Sequence, residues 1–96
     1  MIKGITPSEE EIIKSILLKY PFKFYYYGSR VKGDYTIASD LDVLVRGEQK
    51  VDNSIIADIE KEFNESKIPY RVNISDYNGI DVYFYELIKN DLIEVL

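Results

Sequence analysis

The sequence contains no cysteine and no histidine. The first absence excludes a disulfide framework and any thiolate metal site. The second excludes a histidine general base, and together they remove the usual zinc ligands. A metal held by this chain must sit among oxygen ligands, which points to Mg²⁺, Mn²⁺ or Ca²⁺. A surplus of cations is also missing: 12 Lys and Arg stand against 17 Asp and Glu, a net charge of −5. With no excess positive charge to neutralise phosphates, a direct nucleic-acid partner is not expected. No apolar run approaches the roughly 20 residues that span a bilayer, and Met1-Ile2-Lys3-Gly4 carries no signal-peptide core. The expectation is a cytoplasmic protein with no membrane partner.

What is present suffices for a small core. The 96 residues are 46% apolar and 14% aromatic, which argues against disorder and for one domain spanning residues 1–96. No linker, repeat or low-complexity segment divides the chain. Thr6-Pro7-Ser8-Glu9 combines a cap, a proline suited to the first helical position and a glutamate that completes a capping box. Ile12, Ile13, Ile16, Leu17 and Tyr20 then follow at helical spacing until Pro21. Phe22 to Tyr27 reads as a strand ending at Gly28, and Gly28 to Ser39 as a loop. A second strand covers Leu41 to Val45. Asp52 or Asn53 can cap a helix burying Ile55, Ile56, Ile59 and Phe63. A third strand runs from Tyr70 to Ser75. Ile80 to Val95 reads as a last helix, with Val82, Phe84, Leu87, Ile88 and Leu92 as its apolar contributors. The fold class is therefore α/β, with a three- or four-stranded sheet.

The stretch that carries chemistry runs from Tyr27 to Asp42. A glycine and a serine directly after a strand let the backbone approach an anion, with N–H groups and the Ser29 hydroxyl as donors to phosphate oxygens. Eleven residues after Ser29 comes Asp40, and Asp42 follows on the other side of Leu41. On a strand, side chains at i and i+2 share a face, so the two carboxylates point to the same side. Leu41, Val43 and Val45 occupy the core-facing positions, and Asp40, Asp42 and Leu44 the other face. Two aligned carboxylates repel, and a divalent cation relieves them. A phosphate cradle facing such a pair is apparatus for phosphoryl or nucleotidyl transfer.

Gly28-Ser29, ten intervening residues and Asp40-x-Asp42 resemble the signature of the nucleotidyltransferase superfamily that includes DNA polymerase β. The fuller run, with Gly33, Asp34 and Ser39-Asp40-Leu41-Asp42-Val43, looks like the minimal nucleotidyltransferases. Those are single-domain proteins commonly encoded as antitoxins beside a HEPN-domain ribonuclease toxin. Ile68-Pro69-Tyr70-Arg71-Val72 and Tyr77-Asn78-x-Ile80 resemble that family's third strand and its exit, so the likeness covers nearly the whole chain. It implies the small nucleotidyltransferase fold, a mixed sheet flanked by helices. It further implies that Gly28 and Ser29, with Arg30 and Ser39, hold the phosphates of a nucleoside triphosphate, and that Asp40 and Asp42 are catalytic and ligate Mg²⁺. The implied reaction is transfer of AMP from ATP to a tyrosine hydroxyl of a partner HEPN toxin, which silences it in a hetero-oligomer.

The chain departs from that pattern at one position. Alignment of Tyr70 to Ile74 with the family's third strand puts Asn73 where a third aspartate belongs. An amide neither accepts a proton at neutral pH nor adds negative charge. One metal bound by Asp40, Asp42 and a triphosphate remains feasible, whereas activation of the acceptor hydroxyl loses its base. Asp76 lies three residues further on, and an odd offset directs it to the opposite face. The alternative reading is an antitoxin that neutralises its partner by binding alone. For Arg30 the competing role is a surface ion pair, and for Ser39 a bond to backbone. The nine tyrosines are read mainly as packing residues.

Overall fold

Thr6 caps the first helix in the reciprocal way its sequence promises. The Glu9 N–H donates to Thr6 Oγ1 at 3.2 Å and the Thr6 N–H to Glu9 Oε1 at 3.1 Å. Pro7 stands at the first helical position, where no N–H is needed. The computed structural model describes residues 2–95, and in it helix α1 runs Pro7–Leu17, burying Ile13, Ile16 and Leu17. Strand β1 follows at Lys23–Tyr27, then a one-turn helix α2 at Ser29–Lys32 and strand β2 at Leu41–Arg46. Helix α3 spans Asn53–Asn64, strand β3 Val72–Asp76 and helix α4 Val82–Ile88. A 3₁₀ turn, Lys89–Asp91, leads into the short strand β4, Ile93–Glu94.

The sheet is mixed, in the order β3-β2-β1-β4. β1 pairs antiparallel with β2 and β4, and β2 pairs parallel with β3. The parallel pair is connected through α3, the crossover such a pair requires. β2 therefore lies between two strands and is covered on both faces. Leu41, Val43 and Val45 pack with Ile13, Leu17, Ile59 and Phe63 under α1 and α3. Leu44 points the other way, to Tyr27, Phe84 and Ile88 under α4. All four β2 residues are fully buried. Outside the sheet, Lys19 and Tyr20 after α1 both bond Glu62 on α3 and tie the two helices together. At the outer edge of β3 the Ile74 N–H donates to Glu60 Oε2 at 3.1 Å. The fold is α+β, a four-stranded mixed sheet flanked by helices, and among the described residues no helix is long and apolar enough to cross a membrane.

Two segments differ from the sequence reading. Gly28 to Ser39 is not loop throughout, because α2 occupies its first third and is closed by Gly33 at φ 94°. One helical turn contains too few residues to display a period. The last helix is not continuous from Ile80 to Val95. Asp81 caps α4 by accepting from the Phe84 N–H at 2.8 Å, the helix stops at Ile88, and the chain reverses into β4. There the Val95 N–H donates to the Phe24 carbonyl at 2.9 Å and Val95 enters the main core. The helical pattern mixed two kinds of residue. Phe84, Ile88 and Leu92 pack inward, whereas Val82 and Leu87 are 74% and 77% exposed. At α3, Asp52 takes the cap position through its backbone carbonyl, without a side-chain bond.

The capping box carries a stability expectation. Thr6→Ala removes an acceptor for a helix-terminal N–H and is expected to lower the unfolding free energy by about 1 kcal/mol, measured by urea denaturation.

Candidate functional site

The site forms where β1, β2 and β3 end side by side. Tyr27, the last residue of β1, is the register partner of Asp42 on β2, and Asp42 is in turn the partner of Asn73 on β3. The next residue, Gly28, has φ 86°, a conformation that L side chains rarely adopt. A Cβ at this position would lie 2.3 Å from Asp42 Oδ2. Glycine is thus required twice, for the turn and for the close approach of backbone to carboxylate. Ser29 follows, half-buried, as the first residue of α2.

Strand parity sends Asp42 to the side of Leu44 and α4, as the sequence predicts, where it is half-buried. Asp40 precedes the strand and is exposed. The two carboxylates meet at Asn73, whose Nδ2 donates to Asp40 Oδ2 at 2.9 Å and to Asp42 Oδ1 at 3.3 Å. Burial pushes the Asp42 carboxyl above the usual carboxylate range; the Asn73 bond opposes that shift and Asp40 adds to it. Beside it the Tyr27 hydroxyl, bonded to Ser75 Oγ at 3.1 Å, is also pushed up, chiefly by burial, against the Ser75 bond and with Asp42 adding to it.

This arrangement fits a divalent cation with help. A point within hydrogen-bond distance of both carboxylates is already marked by the Asn73 amide, and hard carboxylate oxygens suit Mg²⁺. Among the described residues no group of three His, Cys, Asp or Glu side chains could hold a metal. Asp40 and Asp42 would therefore be completed by oxygens from water and a polyphosphate.

Asp76 takes no part. It faces away from Asn73, is buried, and accepts from the Val51 N–H at 2.7 Å and the Asn78 N–H at 3.0 Å. Arg30 and Ser39, assigned from the sequence to phosphates, are engaged elsewhere. The Arg30 guanidinium is buried and donates to the carbonyls of Gly4 at 2.6 Å, Ile37 at 3.1 Å and Ser39 at 2.8 Å. Ser39 Oγ accepts from the Thr36 N–H at 2.8 Å. In the structure the Arg30 guanidinium meets backbone carbonyls in place of the competing ion pair, and Ser39 makes the backbone bond. The burial of Arg30 had no sequence signal, because the residue sits on a single helical turn. Tyr27 and Ser75 were legible only as strand residues, since their proximity depends on the β1-β2-β3 order.

Comparison with known proteins agrees with the geometry. Residues 9–95 match the family model described as a nucleotidyltransferase domain. A Haemophilus influenzae protein named as a probable protein adenylyltransferase, MntA, is 33% identical over 87 residues, covering 88% of this chain and 76% of that protein. In fold, the chain resembles the crystal structure of a toxin–antitoxin with AMP-PNP, with a TM-score of 0.77 at 17% identity, over 91% of this chain and 72% of that one.

Two substitutions separate the site from its surroundings. Gly28→Ala is expected to cost about 1–3 kcal/mol from the backbone conformation alone and to turn the Asp42 carboxylate away, visible in a crystal structure of the variant. Asp76→Ala leaves two N–H groups without their acceptor and is expected to cost about 1–3 kcal/mol for each one left unpaired. Asp76→Asn, which keeps an acceptor oxygen, should cost less in the same urea titration.

Proposed function

The chain belongs to the nucleotidyltransferase domain family, and from that premise we propose that it transfers AMP from Mg²⁺-bound ATP to a tyrosine hydroxyl of a HEPN-domain ribonuclease toxin, whose antitoxin it is. The observation that carries the reading is the convergence of Asp40 and Asp42 on one point beside the Gly28 turn. The naming of its Haemophilus influenzae relative as a protein adenylyltransferase supports a protein acceptor. The likeness in fold to a toxin–antitoxin chain supports the partner class. A cytoplasmic site of action accords with both.

In this reading Gly28 and Ser29 receive the triphosphate, the glycine by letting backbone N–H groups approach and the serine by donating its hydroxyl. Asp40 and Asp42 hold Mg²⁺, which supplies charge neutralisation for the triphosphate and for the departing pyrophosphate. The tyrosine oxygen attacks the α-phosphorus in line, a new P–O bond forms, and the bond to the β-phosphate oxygen breaks. Asn73 cannot take the hydroxyl proton, which passes to solvent. The chain's contribution is chiefly positioning and electrostatic stabilisation.

A second reading has one observation in its favour. The Asn73 amide bonds both carboxylates without any cation, which suits an antitoxin that acts by occlusion. Intact mass measurement of the co-purified partner, before and after Mg-ATP, separates the two. The enzyme reading expects a gain of one or more AMP units that Asp42→Ala abolishes. A partner held tightly at constant mass overturns it in favour of occlusion, and Asn73→Asp, which restores a third carboxylate, is then expected to switch transfer on.

A further inference from the structure

Arg30 is 4% exposed, and among the described residues it forms no ion pair with a carboxylate. A buried cation without a counter-ion is costly unless polar groups replace its water. Here backbone carbonyls and ring faces do so. Nε donates to the Ser39 carbonyl at 3.0 Å and Nη2 to the same oxygen at 2.8 Å. Nη1 reaches Gly4, and Nη2 also reaches Ile37. The guanidinium lies 3.8 Å from the centre of the Tyr70 ring and 5.3 Å from that of Tyr35. Gly4 has no room for a side chain, since a Cβ there would stand 2.5 Å from Arg30 Cβ.

The segment gripped in this way is irregular and exposed, with Ile37 94% exposed at its tip. Apart from the Tyr35 hydroxyl, which donates to the Lys3 carbonyl at 3.0 Å, its own bonds are local. The Ser39 N–H donates to the Thr36 carbonyl at 3.1 Å, and Ser39 Oγ accepts from the Thr36 N–H. These bonds close a turn without attaching it to anything. Arg30 supplies the attachment at this turn, and the carbonyl it grips twice belongs to the peptide from which Asp40 begins.

We propose that Arg30 is a positioning residue for Asp40: by fixing the Ser39 carbonyl between α2, the Gly4 backbone and the Tyr70 ring, it holds the Asp40 carboxylate at the point it shares with Asp42. The inference rests on the reading of these two aspartates as the cation site. It replaces a direct phosphate contact for Arg30, since of the five guanidinium N–H groups only one, on Nη1, lacks a carbonyl. It also accounts for the arginine. A planar fork can grip one carbonyl through two nitrogens and reach others while lying flat on a ring, a geometry the compact ammonium of lysine lacks.

The test uses Arg30→Met, which keeps length and removes every donor, and Arg30→Lys, which keeps the charge and a donor group but loses the planar fork. Titration with Mn²⁺ alone reads the cation site. Binding is expected to weaken roughly tenfold to a hundredfold in Arg30→Met and less in Arg30→Lys. Nuclear magnetic resonance without metal reads the geometry. The Asn73 side-chain amide signals should shift and exchange faster, and amides 34–41 should lose protection, while those of α1 and α3 keep theirs. If Arg30→Met fails to fold, the same shifts at smaller amplitude in Arg30→Lys support the proposal. Variants with native Mn²⁺ affinity, native Asn73 signals and a protected segment overturn it, and a loss confined to ATP affinity would identify Arg30 as a phosphate ligand. Native protein that binds no Mn²⁺ either alone or together with ATP would defeat the functional reading instead, and the metal-free signals would still decide the role of Arg30.

Discussion

The alternation of β2 is the constraint on which the site depends. Its residues are covered from both faces, by α1 and α3 on one side and α4 on the other. A shift of register by one residue would drive Asp42 into the core and bring Val43 and Val45 out of it. The main core therefore fixes the direction of the carboxylate. The lateral register does the rest, because Tyr27 and Asn73 flank Asp42 on neighbouring strands. A half-buried carboxylate remains acceptable there since it stands near the start of the strand and accepts from the Asn73 amide.

Two carboxylates directed at one point repel, and the structure relieves the repulsion with a neutral donor. The Asn73 amide bonds both, so the pair is held together by a group that carries no charge. A third carboxylate at this position would add affinity for cations and a base, and would raise the repulsion in the empty site. The asparagine makes the opposite compromise: the site is assembled and tolerable before any cation arrives, and its power to remove a proton is reduced. The same residue therefore bears on folding and on chemistry.

Much of this was legible in the sequence, for reasons that can be named. The capping box of Thr6 and Glu9 is local, and so is the alternation of Leu41 to Val45; both are written in a few adjacent residues. The pairing of Asp40 with Asp42 and the turning away of Asp76 follow from spacing on a strand, and the place of Asn73 beside them follows from the resemblance to the family's third strand. What was hidden depends on contacts between distant segments. Nothing near Arg30 in the sequence announces Gly4 or Tyr70 as neighbours. The end of the chain misleads differently, since Val82 and Leu87 count as apolar contributors to one long helix, although both are exposed and the helix stops at Ile88, before the strand Ile93–Glu94. A solvent-facing apolar residue leaves the same mark in a sequence as a buried one.

The bond from Ile74 to Glu60 bears on how the molecule can associate. A sheet with a free edge invites another chain to extend it strand by strand, and natural proteins blunt that invitation. Here one edge has a central donor occupied by a side chain of the same protein, and the other is a strand of two residues. Backbone ladders with a second chain are disfavoured at both. Recognition of other proteins is thereby left to side chains, whose shape and chemistry can discriminate between partners as a bare backbone edge cannot.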